Sequence, residues 1–169
     1  MSGPERCQDS RSGGSRAIRS HGSRGDTLAP MSEVCLFCRI IAGEVPAHVV
    51  HRSEHTMAFL DIRPLFVGHT LLVPVDHHVT LADLPSPLVR PLFETAQRIS
   101  AVMETALGAA GSFVAMNNRV SQSVPHLHVH VVPRNPKDGL RGFFWPRTTY
   151  NSDQHMADTA VTLRAAIDR

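Results

Sequence analysis

Short apolar runs separated by turn residues occur along most of this chain, and each run has the length of a β-strand. Proline cannot donate a ladder hydrogen bond, so Pro74 and Pro133 are expected to end two of these strands. Strands that follow one another so closely are typical of an antiparallel sheet. The predicted strands lie at residues 48–51, 57–60, 70–73, 112–116 and 126–132.

Between the third and fourth predicted strands, apolar residues recur at the spacing of an amphipathic helix, from residue 87 to residue 107. Ser86 and Pro87 suit its cap and its first position. Pro91 cannot donate a hydrogen bond inside a helix, so the regular helix is expected to start near Arg90. The pattern as a whole predicts an α+β fold. Two shorter helices are predicted, at residues 35–42 and 152–167.

Residues 1–30 are rich in Gly, Ser and Arg and nearly free of large apolar side chains. Such a segment buries too little surface to offset the entropy lost on ordering, so a disordered extension is predicted, with Met31 as an alternative start. A transit peptide is the alternative, which the acidic residues of the segment disfavour. Residues 31–150 are predicted to form one domain, and residues 151–169 a helix that packs on it or on a partner subunit.

Composition narrows the class of protein. Hydrophobic residues make up 42% and charged residues 19%, as in an ordinary globular protein. No apolar run approaches the roughly 20 residues of a membrane-spanning helix, so no membrane partner is expected. The chain has 17 basic and 15 acidic residues. This near-balance disfavours a nucleic-acid partner. Three cysteines cannot form a disulfide framework, which favours a cytoplasmic location.

Three histidines alternate with apolar residues in the last predicted strand. Because side chains alternate faces along a strand, His126, His128 and His130 are expected to point one way, and Leu127 and Val129 into the core. An imidazole near neutral pH can act as nucleophile, proton carrier or metal ligand. Three of them on one face indicate a functional site rather than structural histidines.

A zinc hydrolase that uses this histidine row as ligands is one interpretation, because His-x-His on a strand is a common zinc arrangement. No acidic ligand lies nearby in the sequence, which counts against it. The cysteines also suggest a metal site of another kind.

The stretch Ser-Gln-Ser-Val-Pro-His-Leu-His-Val-His-Val-Val-Pro-Arg, residues 121–134, resembles the signature of the histidine triad superfamily. Residues 35–47, 58–64 and 68–74 also resemble segments of that family, in the expected order. The resemblance implies a roughly five-stranded antiparallel sheet with a long and a short helix, and with the helices on one side of the sheet. It also implies a homodimer in which the two sheets join.

For the chemistry, the resemblance implies a nucleotidyl hydrolase or transferase acting on dinucleoside polyphosphates or nucleoside phosphoramidates. His128 matches the nucleophile, which attacks an α-phosphate and forms a nucleotidyl-histidine intermediate. His130 matches a histidine that contacts phosphate. His69 matches another active-site histidine, which orients the nucleophile or shapes the pocket. From its local sequence alone, His69 is equally well a polar residue at a strand edge.

The resemblance also implies the residues that bind the nucleotide. Asn117, Gln122 and Ser123 match the phosphate-binding loop, and Asp61 matches the acidic residue that accepts hydrogen bonds from the ribose. One departure concerns the loop itself. It is shorter than is usual in the family, and Ser121 stands where a glycine often precedes the glutamine. The phosphate cradle is therefore expected to be altered.

Cys35 and Cys38 form a Cys-x-x-Cys pair, which by itself fits a redox pair or two small apolar residues. A subset of the family that this chain resembles uses such a pair with two histidines to hold a structural zinc ion. The matching positions are His77 and His126, with His78 as the substitute for His77. The resemblance therefore implies a zinc site and no organic cofactor.

Residues 134–150 contain basic side chains, two phenylalanines and the only tryptophan of the chain. They fit either a segment that closes over the distal part of a long substrate or a segment that packs in a dimer. The alternative function that stays open is a nucleotide-binding or scaffolding module without catalysis. The complete triad disfavours that alternative.

Overall fold

The computed structural model describes residues 35–140 and 149–167, which belong to two compact units. The first unit ends at Pro136 and the second begins at Lys137. The predicted disordered extension at residues 1–30 lies outside the described residues, as does the aromatic part of the basic segment, residues 141–148.

The first unit contains one antiparallel sheet. Its strands lie in the order β1-β2-β3-β5-β4, so β5 is inserted between β3 and β4. This confirms the predicted α+β fold with a five-stranded antiparallel sheet. The elements in chain order are α1 (Leu36–Ile41), β1 (Val49–Arg52), β2 (Thr56–Leu60), β3 (Thr70–Pro74), a short 3₁₀ helix (Leu81–Asp83), α2 (Ser86–Leu107), β4 (Gly111–Ala115) and β5 (Val129–Arg134).

Side-chain alternation along the strands divides the core between the two faces of the sheet. On one face, Ala58 and Leu72 pack with α2, whose buried residues include Leu92. On the other face, Met57 and Phe59 pack with α1. The short helix and the long helix therefore cover opposite faces of the same strands, so the expectation that the helices lie on one side of the sheet is wrong.

The long helix begins earlier than the sequence predicts. Ser86 is its first residue rather than its cap, and Pro91 lies inside the helix. The predicted start near Arg90 is therefore wrong. Leu88 and Val89 pack against the core in the first turns. Burial of these side chains offsets the one hydrogen bond that Pro91 cannot donate.

The last strand also differs from its prediction at residues 126–132. It begins at Val129 and continues through Pro133 to its end. Pro133 pairs with Ser112 of β4, whereas the pairing of β5 with β3 extends only as far as Val131. Proline is tolerated here because this stretch of β5 has one neighbouring strand instead of two.

The second unit contains α3 (Asp153–Ile167), where the sequence predicts the C-terminal helix. Its large apolar side chains, such as Met156 and Leu163, are exposed. Its packing on the domain or on a partner subunit stays a prediction. Within residues 35–140 and 149–167, no helix has the length and apolar character needed to cross a membrane.

Gly68, just before β3, combines a φ of +99° with a close approach to the end of α2. A Cβ at this position would overlap the side chain of Leu107. We expect Gly68→Ala to lower the free energy of unfolding by about 1–2 kcal/mol. A left-handed backbone costs an L-residue about 1–2 kcal/mol, and the end of the exposed Leu107 side chain can move away at little further cost. Urea unfolding measures the change.

Gly43 offers a matched control, because its φ is +80° and no atom lies within 4 Å of a Cβ built there. Gly43→Ala carries the backbone cost alone, about 1 kcal/mol. Adding Leu107→Ala to the Gly68→Ala variant should therefore recover little stability. A loss for Gly68→Ala several times that for Gly43→Ala would contradict this expectation, because it would show that Leu107 cannot move away.

Candidate active site and metal site

The three predicted histidines lie where β5 begins. Leu127 and Val129, which alternate with them, are fully buried in the core on the α2 side. The rings of His128 and His130 are in contact, with centroids 5.0 Å apart. The segment therefore has an apolar face and a histidine face, although of the three histidines His130 alone belongs to the strand.

One hydrogen bond fixes the proton of His128. Its Nδ1 lies 2.7 Å from the carbonyl oxygen of His126. A carbonyl can only accept, so Nδ1 donates and carries the proton. The ring is 3% exposed, and the Phe37 ring packs edge-on against it at a centroid distance of 5.3 Å. The neutral ring of His128 therefore presents Nε2 as its nucleophilic atom.

His69 and His130 form a second, connected pair. The backbone N–H of Leu65 donates to Nδ1 of His69 at 3.2 Å, which leaves the proton of the neutral ring on Nε2. This Nε2 lies 2.9 Å from Nδ1 of His130 and donates to it. In the neutral ring of His130 the proton is consequently on Nε2. His130 thus offers a hydrogen-bond donor beside the lone pair of His128.

Burial keeps this pair neutral. Burial, together with the nearby His128 and His69 rings, lowers the pKa of His130 to about 4, against the attraction of Asp61. Burial also lowers the pKa of His69, again opposed by Asp61, whose Oδ2 lies 3.5 Å from Nδ1 of His69. These three residues have spacings that suit a metal ion. However, His69 uses opposite ring nitrogens toward its two neighbours, so the groups form a chain instead of converging.

The lowered pKa of His130 predicts a loss of stability in acid. Its ordinary pKa is 6.5, whereas the folded ring stays neutral down to about pH 4. Between these values the unfolded state binds the extra proton. The free energy of unfolding therefore decreases as the pH is lowered, by up to about 1.4 kcal/mol per pH unit. We expect the wild type to lose stability relative to His130→Gln between pH 6.5 and pH 4 in urea unfolding. Parallel pH curves for the two proteins would contradict this.

Asp61 follows β2 directly and turns one carboxylate oxygen toward the histidine pair. Its other oxygen, Oδ1, accepts the backbone N–H of Arg63 at 2.8 Å and closes a turn. Ile62 and Val67 in the same loop are 87% and 88% exposed. A carboxylate can accept hydrogen bonds from ribose hydroxyls, and exposed apolar side chains in the same loop can pack against a base. The predicted role of Asp61 in ribose binding stays a prediction.

The predicted phosphate loop is attached by side-chain amides to the segment after β3. Nε2 of Gln122 donates to the carbonyl of Val79 at 2.7 Å, and its Oε1 accepts the backbone N–H of Arg119 at 2.7 Å. The backbone N–H of Leu81 donates to Oδ1 of Asn118, also at 2.7 Å. Gln122 and Asn118 therefore hold the loop in place, a role that the sequence did not indicate.

Within this loop, Arg119 and Ser121 have φ angles of 68° and 59°, in the region that favours glycine. Ser121, for which the resemblance suggests a glycine, thus has a backbone conformation that glycine favours. Nδ2 of Asn117 donates to the carbonyl of Ser121 at 3.2 Å. Phosphate binding by Asn117, Gln122 and Ser123 stays a prediction.

The four predicted zinc ligands lie together at one end of α1. Sγ of Cys35 is 3.5 Å from Nδ1 of His126. Sγ of Cys38 is 3.3 Å from Nδ1 of His77 and 3.6 Å from Nδ1 of His126. The four ligand atoms all lie within 4.8 Å of one another, and the group contains His77 rather than the substitute His78. We call these four residues the Cys/His cluster.

The cluster fits a tetrahedral zinc ion. Bonds of about 2.3 Å to sulfur and about 2.0 Å to nitrogen place S and N about 3.5 Å apart. The three S···N distances range from 3.3 to 3.6 Å. Nε2 of His126 lies 3.0 Å from the carbonyl oxygen of Pro74, so it carries the proton and leaves Nδ1 free to bind metal. The hydrogen bond with Cys38, helped by His126 and opposed by burial, lowers the pKa of the Cys35 thiol to about 3.

The histidine row itself does not form such a group. Among the described residues, two groups have the spacing of metal ligands, and each includes one member of the row. His126 belongs to the Cys/His cluster and His130 to the chain with His69 and Asp61. This arrangement disfavours the interpretation that the row holds a catalytic zinc ion.

Phe37 is a residue of the site that the sequence reasoning missed. It lies between the two cysteines and is buried. Its ring contacts those of His126 and His128, at centroid distances of 5.9 and 5.3 Å. The available signal was its place inside the Cys-x-x-Cys pair, because residues between two metal-binding cysteines must lie beside the metal site.

Comparison with known proteins agrees with this fold. The HIT domain family matches residues 42–137. An uncharacterized HIT-like protein of Methanocaldococcus jannaschii is 41% identical over 108 residues, which is 63% of this chain and 83% of that protein. A HIT family crystal structure from Bacillus subtilis has a TM-score of 0.71 and 30% identity, and the match covers 78% of this chain and 95% of that one.

A second solved structure contains zinc. A zinc-bound histidine triad family protein from Mycobacterium smegmatis has a TM-score of 0.62 and 35% identity, and the match covers 80% of this chain and 99% of that one. The sheet, the histidine row and the cluster define a histidine triad protein. The chain belongs to the HIT domain family.

Two further relatives have enzyme names. An adenylylsulfatase of Arabidopsis thaliana is 32% identical over 126 residues, which is 72% of this chain and 64% of that protein. An adenosine 5′-monophosphoramidase of Saccharomyces cerevisiae is 32% identical over 114 residues, 66% of this chain and 70% of that protein. In general terms, the family and these names support a nucleotide hydrolase.

Proposed function

We propose that this protein cleaves the bond between a nucleoside α-phosphate and its leaving group, as a nucleotidyl hydrolase or transferase. The observation that carries the proposal is the hydrogen bond of 2.7 Å from Nδ1 of His128 to the carbonyl of His126, which leaves Nε2 as the nucleophile. The relatives named adenylylsulfatase and adenosine 5′-monophosphoramidase support this class of substrate.

In the first step, Nε2 of His128 attacks the α-phosphorus in line with the leaving group. A P–N bond forms and the bond to the leaving group breaks, so that the leaving group departs with the electron pair and takes a proton from water. The nucleotidyl-imidazole is positively charged. The carbonyl of His126 stabilises that charge through its hydrogen bond with Nδ1.

In the second step, water attacks the phosphorus, gives up a proton and releases the nucleoside monophosphate. His128 returns to its neutral form with the lone pair again on Nε2. An acceptor other than water would give transfer in place of hydrolysis. Dividing one difficult displacement into two easier ones is the gain from the covalent intermediate.

The neighbouring groups would bind and orient the nucleotide. Nε2–H of His130 is available to a phosphate oxygen, because Nδ1 of the same ring accepts from His69 at 2.9 Å. Asp61 would accept the ribose hydroxyls with the exposed apolar side chains of its loop against the base. Asn117 and Ser123 would donate to phosphate from the loop that Gln122 holds in place.

The proposal includes a structural zinc ion in the Cys/His cluster, where it would connect α1 to the segments before β5 and after β3. It also includes a homodimer. β4 is an edge strand of the sheet, and edge strands can pair with a second copy of themselves. Thiols that bind metal need a reducing compartment, which supports a cytoplasmic location.

Incubation with adenosine 5′-phosphoramidate and with diadenosine tetraphosphate tests the proposed function. We expect AMP from at least one of them, measured by chromatography. An intact-mass measurement after brief exposure should find a nucleotidyl adduct on the wild type and none on His128→Asn. Absence of both AMP and adduct in the wild type would overturn the proposal and favour a non-catalytic nucleotide-binding module.

A further inference from the structure

We infer that the Cys/His cluster and the nucleophile are coupled through His126 and Phe37, so that a metal-loaded cluster sets the orientation and the tautomer of His128. His126 and Phe37 would then be positioning residues for the reaction. The inference rests on the proposed function in that it takes His128 as the nucleophile. It goes beyond that function by assigning two residues a role in the geometry of another.

His126 is fully buried, and three of its polar atoms each have a partner. Its Nδ1 faces the sulfur atoms of Cys35 and Cys38, at 3.5 and 3.6 Å. Its Nε2 lies 3.0 Å from the carbonyl of Pro74. Its own carbonyl accepts the proton of His128 Nδ1 at 2.7 Å. A movement that releases the His126 ring from the cysteines therefore also displaces the acceptor that determines the tautomer of His128.

Phe37 makes a second connection between the same two places. It lies on α1 between the cysteines, and its ring meets those of Phe59, His126 and His128 in edge-to-face contacts. The centroid distances are 5.4, 5.9 and 5.3 Å, in the range of favourable aromatic pairs. Phe37 thus holds the ring of the nucleophile from the side of the Cys/His cluster.

A metal ion would strengthen both connections, because α1 depends on tertiary contacts for its position. The helix has six residues, far fewer than an isolated helix needs in water, and its buried side chains Phe37 and Ile41 hold it to the sheet. Without an ion the two sulfur atoms and two imidazoles have no common centre, and α1 can shift on the sheet together with Phe37. His128 would then populate both neutral tautomers, of which one alone has the lone pair on Nε2. Loss of such a supporting contact typically costs about 10–100-fold in activity.

The first test compares zinc-loaded protein with protein stripped by a chelator, with the zinc content of each measured. Nitrogen-15 NMR of the histidine side chains reports the tautomer of His128 without any substrate. We expect a single Nδ1–H tautomer in the loaded protein, a mixture in the stripped protein, and recovery after one equivalent of zinc is returned. An unchanged His128 spectrum in folded, stripped protein would overturn the inference.

The second test keeps the metal and changes the contact. Phe37→Leu should retain one zinc ion, yet shift the His128 signals and lower kcat about 10-fold with KM changed less than about 2-fold. Phe59→Leu is the matched control, because Phe59 contacts Phe37 and belongs to the same apolar cluster. It should leave the His128 tautomer unchanged. Equal shifts in the two variants, or none in Phe37→Leu, would overturn the inference.

These two tests separate the inference from the proposed function. If no nucleotide is cleaved by the wild type, the proposed function fails while the NMR comparison still shows whether His128 depends on the cluster. If nucleotides are cleaved and the NMR signals of His128 change neither on removal of zinc nor in Phe37→Leu, the inferred coupling is wrong and the proposed function stands.

Discussion

Replacing His128 with asparagine should lower kcat by about 10⁴-fold or more, the largest effect on activity expected in this chain. The asparagine amide can still donate toward the carbonyl of His126, but it has no nitrogen lone pair that can attack phosphorus. Without the covalent route, binding and electrostatic stabilisation alone remain. Single-turnover measurement with a substrate that the wild type cleaves gives the change in the chemical step directly.

Two further histidine variants show whether the loss of activity is specific to His128. His55→Asn changes an exposed histidine outside the site and should leave kcat unchanged. His130→Asn removes a donor but keeps the nucleophile, so it should lose about 10²–10³-fold and still form the nucleotidyl adduct. If His128→Asn kept more than about one-hundredth of the wild-type kcat, a covalent intermediate on His128 would be excluded.

Removing the proposed zinc ion from the Cys/His cluster should have the largest effect on stability. An ion that binds only the folded state stabilises it by about 4 kcal/mol when the free ion concentration is about a thousand times the dissociation constant. For a domain of about 100 residues this corresponds to a fall in Tm of roughly 15–30 °C. Thermal unfolding with excess zinc and with excess chelator measures the difference.

Cys38→Ser tests the same loss of stability by removing a zinc ligand in place of adding a chelator. Serine is close to cysteine in size but is a poor zinc ligand, so the variant in excess zinc should melt where the chelated wild type melts. Chelator should then change its Tm little. Cys7→Ser, which alters the one cysteine outside the cluster, should behave as the wild type. Complete removal of zinc with no change in wild-type Tm would contradict the expectation.

The order and type of the elements could be predicted because they follow from local periodicity. The strands near Met57 and Leu72 are visible as short apolar runs between turn residues, and the helical face through Leu92 as a repeat of three to four residues. The ends of elements could not be predicted as well. Whether Pro91 interrupts the helix depends on the burial of Leu88, and whether Pro133 ends β5 depends on which strands lie beside it.

For the site, sequence patterns located the residues but not the bonds between them. The resemblance to a family indicated the cluster, and the folded chain decided between His77 and His78 as its fourth member. The tautomers of His128 and His69 depend on a backbone carbonyl and on the N–H of Leu65. Backbone groups have no signature in a sequence, since every residue has them and only the fold shows which of them face a side chain.

The positions of the cluster residues along the chain have a consequence for biosynthesis. Cys35 and His126 are 91 positions apart, although Sγ of one lies 3.5 Å from Nδ1 of the other. During translation the two thiols emerge early, and the partner imidazole leaves the ribosome only after most of the domain has been made. Closing so large a loop carries an entropic cost that grows slowly with its length. A polypeptide interrupted before His126 would therefore lack one of the four ligands of the proposed zinc site, so firm binding of the ion would distinguish complete chains from fragments.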